Sequence, residues 1–274
     1  MLREAHDPCE GDAALPVPPG TGFGARKSGV RDAWILLGIL ILLGALIRAS
    51  IGPLTAWVVE RLPRSLDAEV GRRLGDLQRA TSSTLADGRA THLGEIVRDI
   101  EPRVGRLVAR NDAFAERVRV TVLDSDDVNA FALPGGEVFV FRGLLEAKAM
   151  NDDVLVGIVA HELAHAALRH GVRGLVRRNL LALVASALVG GLDAGTVSLV
   201  GGALSLGDLA YDRSMEEEAD AIAGKLLVEL GRPVEPLAQF LEELDALGPA
   251  VALFTNHPAG AARAASLRSL ARGG

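Results

Sequence analysis

Residues 151–171 read Asn151-Asp-Asp-Val-Leu-Val-Gly-Ile-Val-Ala-His161-Glu162-Leu-Ala-His165-Ala-Ala-Leu-Arg-His170-Gly171. Asn151 or Asp152 can cap a helix here, and the helix is expected to run to Arg169 or His170, with Gly171 as its stop. The helix is apolar, with Val154, Leu155, Val156, Ile158, Val159, Leu163 and Leu168 along it, so it belongs in a core. His161 and His165 are four residues apart and share one face, where both imidazoles can reach one metal ion. Glu162 is next to His161. It can reach a metal-bound water without ligating the metal, take its proton and pass it to a leaving amine. Zinc suits these ligand types and brings the pKa of its water towards 7. Without a metal, two histidines and a glutamate on such a helix would need other partners.

A catalytic zinc takes three protein ligands and a water. His170 is five residues past His165, so on a continuous helix it points about 140° away. It reads as an exposed or helix-end histidine. Arg213-Ser-Met-Glu216-Glu217-Glu218-Ala-Asp220 offers a better third ligand. Glu216 and Asp220 share one helical face, so Glu216 can ligate zinc while Asp220 accepts the Nδ1–H of a ligand histidine. Glu217 and Glu218 have no acid four residues on. One zinc ion per chain, held by His161, His165 and Glu216, is the expectation.

The rest of the chain surrounds this centre. It has 274 residues, 49% hydrophobic but only 4% aromatic, so its core must be built mostly from Leu, Val and Ala. Lys plus Arg number 29 against 35 Asp plus Glu, a formal charge of -6, which argues against a dedicated nucleic-acid binder. Cys9 is the only cysteine, which excludes a disulfide framework within the chain and a cysteine-based zinc finger. Residues 1–32 are Pro- and Gly-rich and read as a flexible tail. Ala33 to Ile47 passes without a charge. Arg48 can snorkel to headgroups, so residues 33–55 read as an uncleaved transmembrane anchor. The flanking basic residues tie by the positive-inside count. Residues 62–115 suggest two helices separated by the polar stretch Thr81 to Gly88, followed by strands near 118–123, 128–133 and 137–141, with Pro134-Gly-Gly between the last two. Residues 180–209 read as two short apolar helices rather than a second membrane hairpin. A helix over about 214–230 follows. A last helical part carries Leu237, Leu241, Leu244 and Leu247 on one face.

Four segments, in order, resemble the M48 membrane-associated zinc metallopeptidases, the group that holds the CAAX-type, HtpX-type and BepA/LoiP-type proteases. They are Asn129-Ala-Phe-Ala-Leu-Pro-Gly-Gly136, His161-Glu-Leu-Ala-His-Ala-Ala-Leu-Arg-His-Gly171, Tyr211-Asp-Arg-Ser-Met-Glu-Glu-Glu-Ala-Asp220 and His257-Pro-Ala-Gly-Ala-Ala-Arg263. They span roughly residues 115–265. The family's register selects Glu216 as ligand and Asp220 as its neighbour in support, in agreement with the helix argument. The chain lacks the several spans of a CAAX-type enzyme and is more similar to the single-anchor or soluble kind. The resemblance gives the remaining segments roles. Val128 to Leu133 would be an edge strand beside the zinc, with Asn129, Ala130 and Phe131 binding an extended peptide by main-chain hydrogen bonds. His257 would donate to a developing oxyanion or occupy the open zinc position at rest. Arg213 would help the oxyanion or pair with a carboxylate of the site.

The resulting expectation is a mostly helical α+β fold, a gluzincin-type domain with a small edge-strand sheet over residues 62–274 on an N-terminal transmembrane helix. The expected activity is zinc-dependent cleavage of peptide bonds in membrane or envelope proteins, with the catalytic domain outside the cytoplasm of a bacterial-type cell. The alternative is a membrane-tethered chaperone or adaptor that binds unfolded segments through the same cleft.

Overall fold

The computed structural model describes residues 29–109, 112–114, 116–189, 212–246, 257 and 260–273. Residues 1–28 of the expected tail, residues 190–209 of the apolar stretch, and Leu247 lie outside the described residues. Two compact units are distinguished, Met1–Ile47 and Arg48–Gly274. Helix α1 runs Gly29–Arg61, so it begins inside the stretch read as tail and continues through Arg48 and Pro53. Its portion from Arg31 to Arg61 is long and apolar enough to cross a membrane. Within the first unit Trp34, Leu40, Ile41 and Leu42 are 64–71% exposed.

The second unit continues with α2 (Arg64–Thr81), β1 (Thr84–Leu85), α3 (Gly88–Leu107), β2 (Arg119–Leu123), β3 (Ala130–Leu133), β4 (Glu137–Phe141) and α4 (Arg142–Leu145). Next come α5 (Asp152–Ala167), α6 (His170–Val189), α7 (Arg213–Glu229), α8 (Glu235–Ala246) and α9 (Gly260–Gly273). The strands lie in the order β1-β2-β4-β3. β2 pairs parallel with β4, and β3 closes back antiparallel on β4 with Phe131 opposite Phe139. Among the described residues β3 is therefore an edge, as the sequence suggested. The two-residue alternation of the strands gives the sheet two apolar faces. Val122, Ala130, Ala132, Val138 and Val140 join the main core. Leu123, Phe131, Leu133 and Phe139 form a smaller cluster with Leu74 of α2.

α5 is the axis of the core. Asn151 caps it by accepting from the N–H groups of Asp153 and Val154, and Asp152 and Asp153 complement the helix dipole. From Val154 to Ala167 every residue is buried, because α5 packs on α7, α3, β3 and α8. Gly157 permits the approach of α8: a Cβ there would lie 2.7 Å from Leu237 Cδ2. The sequence suggested that Gly171 ends this helix. Instead the break falls at Arg169, whose φ is 60°, and Gly171 lies inside α6. The buried guanidinium of Arg169 supplies the reason. It donates to the carbonyls of Val59 (2.6 Å) and Leu62 (2.9 Å) and pairs with Asp67 at 2.6 Å, so tertiary contacts hold a conformation that glycine would adopt without strain.

The β3–β4 turn is a second constrained point. Gly135 has a φ of 80°, and a Cβ there would lie 2.6 Å from Ala68 Cα of α2. Gly135→Ala is expected to cost about 1–3 kcal/mol and to lower the thermal unfolding midpoint of the purified protein. An unchanged midpoint would show that α2 yields at this contact.

Candidate active site

His161, Glu162 and His165 occupy one buried turn of α5, at 5%, 1% and 1% exposure. α7 supplies Glu216 and Asp220. Asp212 caps that helix by accepting from the Met215 N–H, which turns Glu216 inward in the first turn. His257 precedes α9 and is buried as well. The residues picked out as ligands thus converge, although they come from separate parts of the chain. One donor atom each from His161, His165, Glu216 and His257 lies within 4.8 Å of all the others.

In donor type this set fits a zinc ion, and its spacing comes close. Three of the five donor distances fall in the range of such an ion, and two, at 2.9 Å, are shorter than it. A tetrahedral ion with ligand bonds of about 2.0–2.2 Å spaces its ligands about 3.3–3.6 Å apart. Nε2 of His161 is 2.9 Å from Nε2 of His165, 3.3 Å from Nδ1 of His257 and 3.5 Å from Glu216 Oε2. Nε2 of His165 is 3.4 Å from Glu216 Oε1, and Nδ1 of His257 is 2.9 Å from the same oxygen. The charges agree. Glu162, Glu216 and Asp220 are buried carboxylates grouped around one guanidinium, that of Arg263, and a divalent cation would offset the surplus.

Asp220 lies 2.9 Å from Nδ1 of His161, the support position expected for it. Burial and Arg263 both oppose a charge on His161, but Asp220 and Glu216 outweigh them and raise its pKa to about 9. Burial opposes the charge of Glu216 too, yet the three histidines hold its carboxyl far below the ordinary range. Asp220 is likewise held low, against burial, by Arg263 and His161. Burial pushes His165 down and Glu162 up. The cluster without a cation thus keeps a proton on His161 that a metal ion would have to displace, since both compete for the same ring lone pair.

Arg213 is exposed in the first turn of α7. The arginine at the site is Arg263 on α9, 8% exposed. It grips both oxygens of Asp220 at 2.8 Å, lies 2.9 Å from Glu216 Oε2, and approaches the His161 ring to 3.3–3.4 Å. An arginine alone among small residues in Gly260-Ala-Ala-Arg263-Ala-Ala was the available signal, because a charge in such a stretch is buried only with partners. His170 also differs from its expected place: it is fully buried, because the break at Arg169 turns it back towards α5.

The edge strand meets the site through its backbone. The Ala132 N–H donates to Glu162 Oε2 at 2.9 Å. The Asn129 carbonyl accepts from Phe141 on β4, and Phe131 stacks on Phe139 with ring centroids 5.1 Å apart. By strand alternation, Ala130 and Ala132 are the residues that present main-chain groups on the free edge. His257 Nε2 lies 3.3 Å from the other Glu162 oxygen. Beside the cluster is a cavity of about 20 Å³, lined by Ile158, Leu237 and Leu241 together with the site residues. That is room for about one water.

A model of peptidase family M48 matches residues 97–271. Over 167 residues the chain is 32% identical to Metalloprotease YcaL of Escherichia coli (strain K12), an overlap that covers 58% of this chain and 64% of that protein. Metalloprotease LoiP of the same organism is 30% identical over 166 residues, with the same coverage of 58% and 64%. The Beta-barrel assembly-enhancing protease of Escherichia coli O157:H7 is 25% identical over 206 residues, covering 65% of this chain and 42% of that protein. The chain therefore spans less than two thirds of the length of each of these relatives.

The ligand set leads to a specific expectation. Purified protein should carry about one zinc per chain by elemental analysis. The metal should be lost in His161→Ala, His165→Ala and Glu216→Ala and kept in Glu217→Ala, whose side chain is exposed. Full zinc in Glu216→Ala would move the third ligand elsewhere.

Proposed function

The chain belongs to peptidase family M48, and on that premise we propose that it is a membrane-anchored, zinc-dependent endopeptidase that cleaves membrane or envelope proteins. The observation that carries this reading is Glu162. It is buried beside the four donors but is not one of them, with one oxygen held by the Ala132 N–H and the other towards His257. A metal site that only stabilised a fold, or a cleft that only bound polypeptides, would gain nothing from the desolvation of this carboxylate.

Zinc, when bound by His161, His165 and Glu216, supplies a Lewis acid that polarises a peptide carbonyl and acidifies a water. The protein's own groups do the rest. The free edge of β3, through Ala130 and the Ala132 carbonyl, takes an extended substrate segment by strand addition, which lays the segment alongside Glu162. The Glu162 carboxylate, whose affinity for a proton is raised by burial, accepts the proton of the attacking water and passes it to the departing amine. The Ala132 N–H fixes the carboxylate while it does so. Asp220 orients His161, and Arg263 locks Asp220 in place. Nδ1 of His257 stands at the fourth donor position, where it closes the site and leaves space for about one water. In this reading a substrate enters only after His257 moves aside, which restrains a protease that would otherwise endanger its neighbours in the membrane.

The anchor reading rests on the bare apolar surface of α1. We infer that the catalytic domain faces the outer side of a bacterial cytoplasmic membrane, a reading supported by the similarity to a protease named for enhancing beta-barrel assembly. The rival reading, a tethered chaperone or adaptor that binds unfolded segments without cleaving them, needs the same cleft but not Glu162.

Glu162→Gln is expected to retain zinc and lose cleavage of an unfolded protein substrate by at least about 10²-fold, the scale of a lost general base. Undiminished cleavage would remove Glu162 from the chemistry, and undiminished function of the variant in cells would favour the binding reading. His257→Ala is expected to raise basal cleavage. A loss of about 10²–10³ in turnover would make His257 an oxyanion donor instead. A reporter active only in the cytoplasm, fused at the C-terminus, is expected to be silent, and strong activity would reverse the orientation.

A further inference from the structure

The mechanism above makes no use of His170, although it is fully buried and packs edge to face on His165 with ring centroids 4.9 Å apart. Its Nδ1 lies 2.9 Å from Nδ1 of His165, and its Nε2 lies 3.2 Å from Oε2 of Glu218. Glu218 is half exposed and also has Arg173 at 3.7 Å. On a continuous helix His170 would face about 140° away from His165. The left-handed residue Arg169, pinned by Val59, Leu62 and Asp67, returns it.

The hydrogens of this chain can be assigned from one end. Nε2 of His165 faces the donor set, 2.9 Å from Nε2 of His161 and 3.4 Å from Glu216 Oε1. An imidazole that offers its Nε2 lone pair to a cation carries its proton on Nδ1. That proton points at Nδ1 of His170, which accepts it. A neutral imidazole that accepts at Nδ1 carries its own proton on Nε2, where it is aimed at the Glu218 carboxylate. Every donor then meets an acceptor. His161 achieves the same end in one step, with its Nδ1 directly on Asp220.

We propose that His170 and Glu218 are positioning residues for His165: the His165–His170–Glu218 chain fixes the tautomer and ring orientation of that ligand and thereby sets the zinc affinity of the site. The inference rests on the zinc metalloprotease reading. It adds a second support line to the ligand set, from residues that the helix pattern alone directs away from it.

The test measures zinc affinity of the full chain in detergent micelles, by competition with a chromophoric chelator. The parent, His170→Leu, His170→Gln, Glu218→Gln and His161→Ala are compared, and thermal unfolding of each is followed with the metal removed. The expected result is about a 10–100-fold weaker affinity in His170→Leu, the usual effect of losing such support, with an unfolding midpoint close to the parent's. Glu218→Gln should weaken binding less. His170→Gln should recover most of the affinity, because its amide can accept from His165 and donate to Glu218. In the zinc-loaded parent, ¹⁵N NMR of the histidines should show His165 protonated on Nδ1 and His170 on Nε2. Parental affinity in His170→Leu overturns the proposal, as does a His170 protonated on Nδ1. Equal losses in the Leu and Gln variants, with lowered metal-free midpoints, overturn it in favour of space filling. If the parent itself takes up no zinc, or His161→Ala binds as the parent does, the metalloprotease reading fails and the relay falls with it.

Discussion

The structure is organised by one constraint: three ionisable side chains, His161, Glu162 and His165, lie in a single turn of a helix that is buried on every side. A lone polar group in such a place costs several kcal/mol, and nearby residues of α5 are apolar and cannot compensate it. Partners must therefore come from other elements. α7 brings Glu216 and Asp220, α9 brings Arg263, the segment before α9 brings His257, the start of α6 brings His170, and β3 brings a backbone N–H. The packing of α7 and α8 on α5, with α9 packed in turn on α7 and α8, is at once the core and the scaffold of the site. Its apolar contacts, at roughly 1.5–3 kcal/mol per fully buried large side chain, hold the polar cluster in register.

The compensation is layered. Asp220 and Arg263 form a two-pronged, buried ion pair, the kind of contact that fixes angle as well as distance. Glu218 is half exposed and can adjust. His257 stands between two carboxylates, Glu162 and Glu216, and is the group whose displacement would enlarge a cavity that now has room for about one water.

The far end of α5 connects to the base of α1. Arg169 leaves the helix in a left-handed conformation and donates to carbonyls of Val59 and Leu62, while Arg64 donates to the carbonyls of Ala113 and Ala167. The orphan carbonyls at the ends of α1 and α5 are thus satisfied by arginines from the opposite segment. The same turn that completes this contact sets His170 against His165.

Much of this was legible in the sequence, and the boundary has a physical cause. Whatever depends on one element's own period could be read locally: the shared face of His161 and His165, the pairing of Glu216 with Asp220 four residues on, the strand alternation near 118–141, the charge-free run after Ala33. Those relations follow from 3.6 residues per turn or from the pleat, and they hold wherever the element packs. The tertiary structure alone decided which arginine enters the site, Arg263 rather than Arg213, because that depends on how α9 crosses α7. It turned His170 inward through a strained Arg169 that no glycine announces, and it aimed the N–H of Ala132 at Glu162, a donor every residue but proline carries. Backbone donors leave no residue-type signature, and Arg263, alone among small residues, signals a buried partner without saying which. Such partnerships come into being only when segments far apart in the chain are brought together by packing.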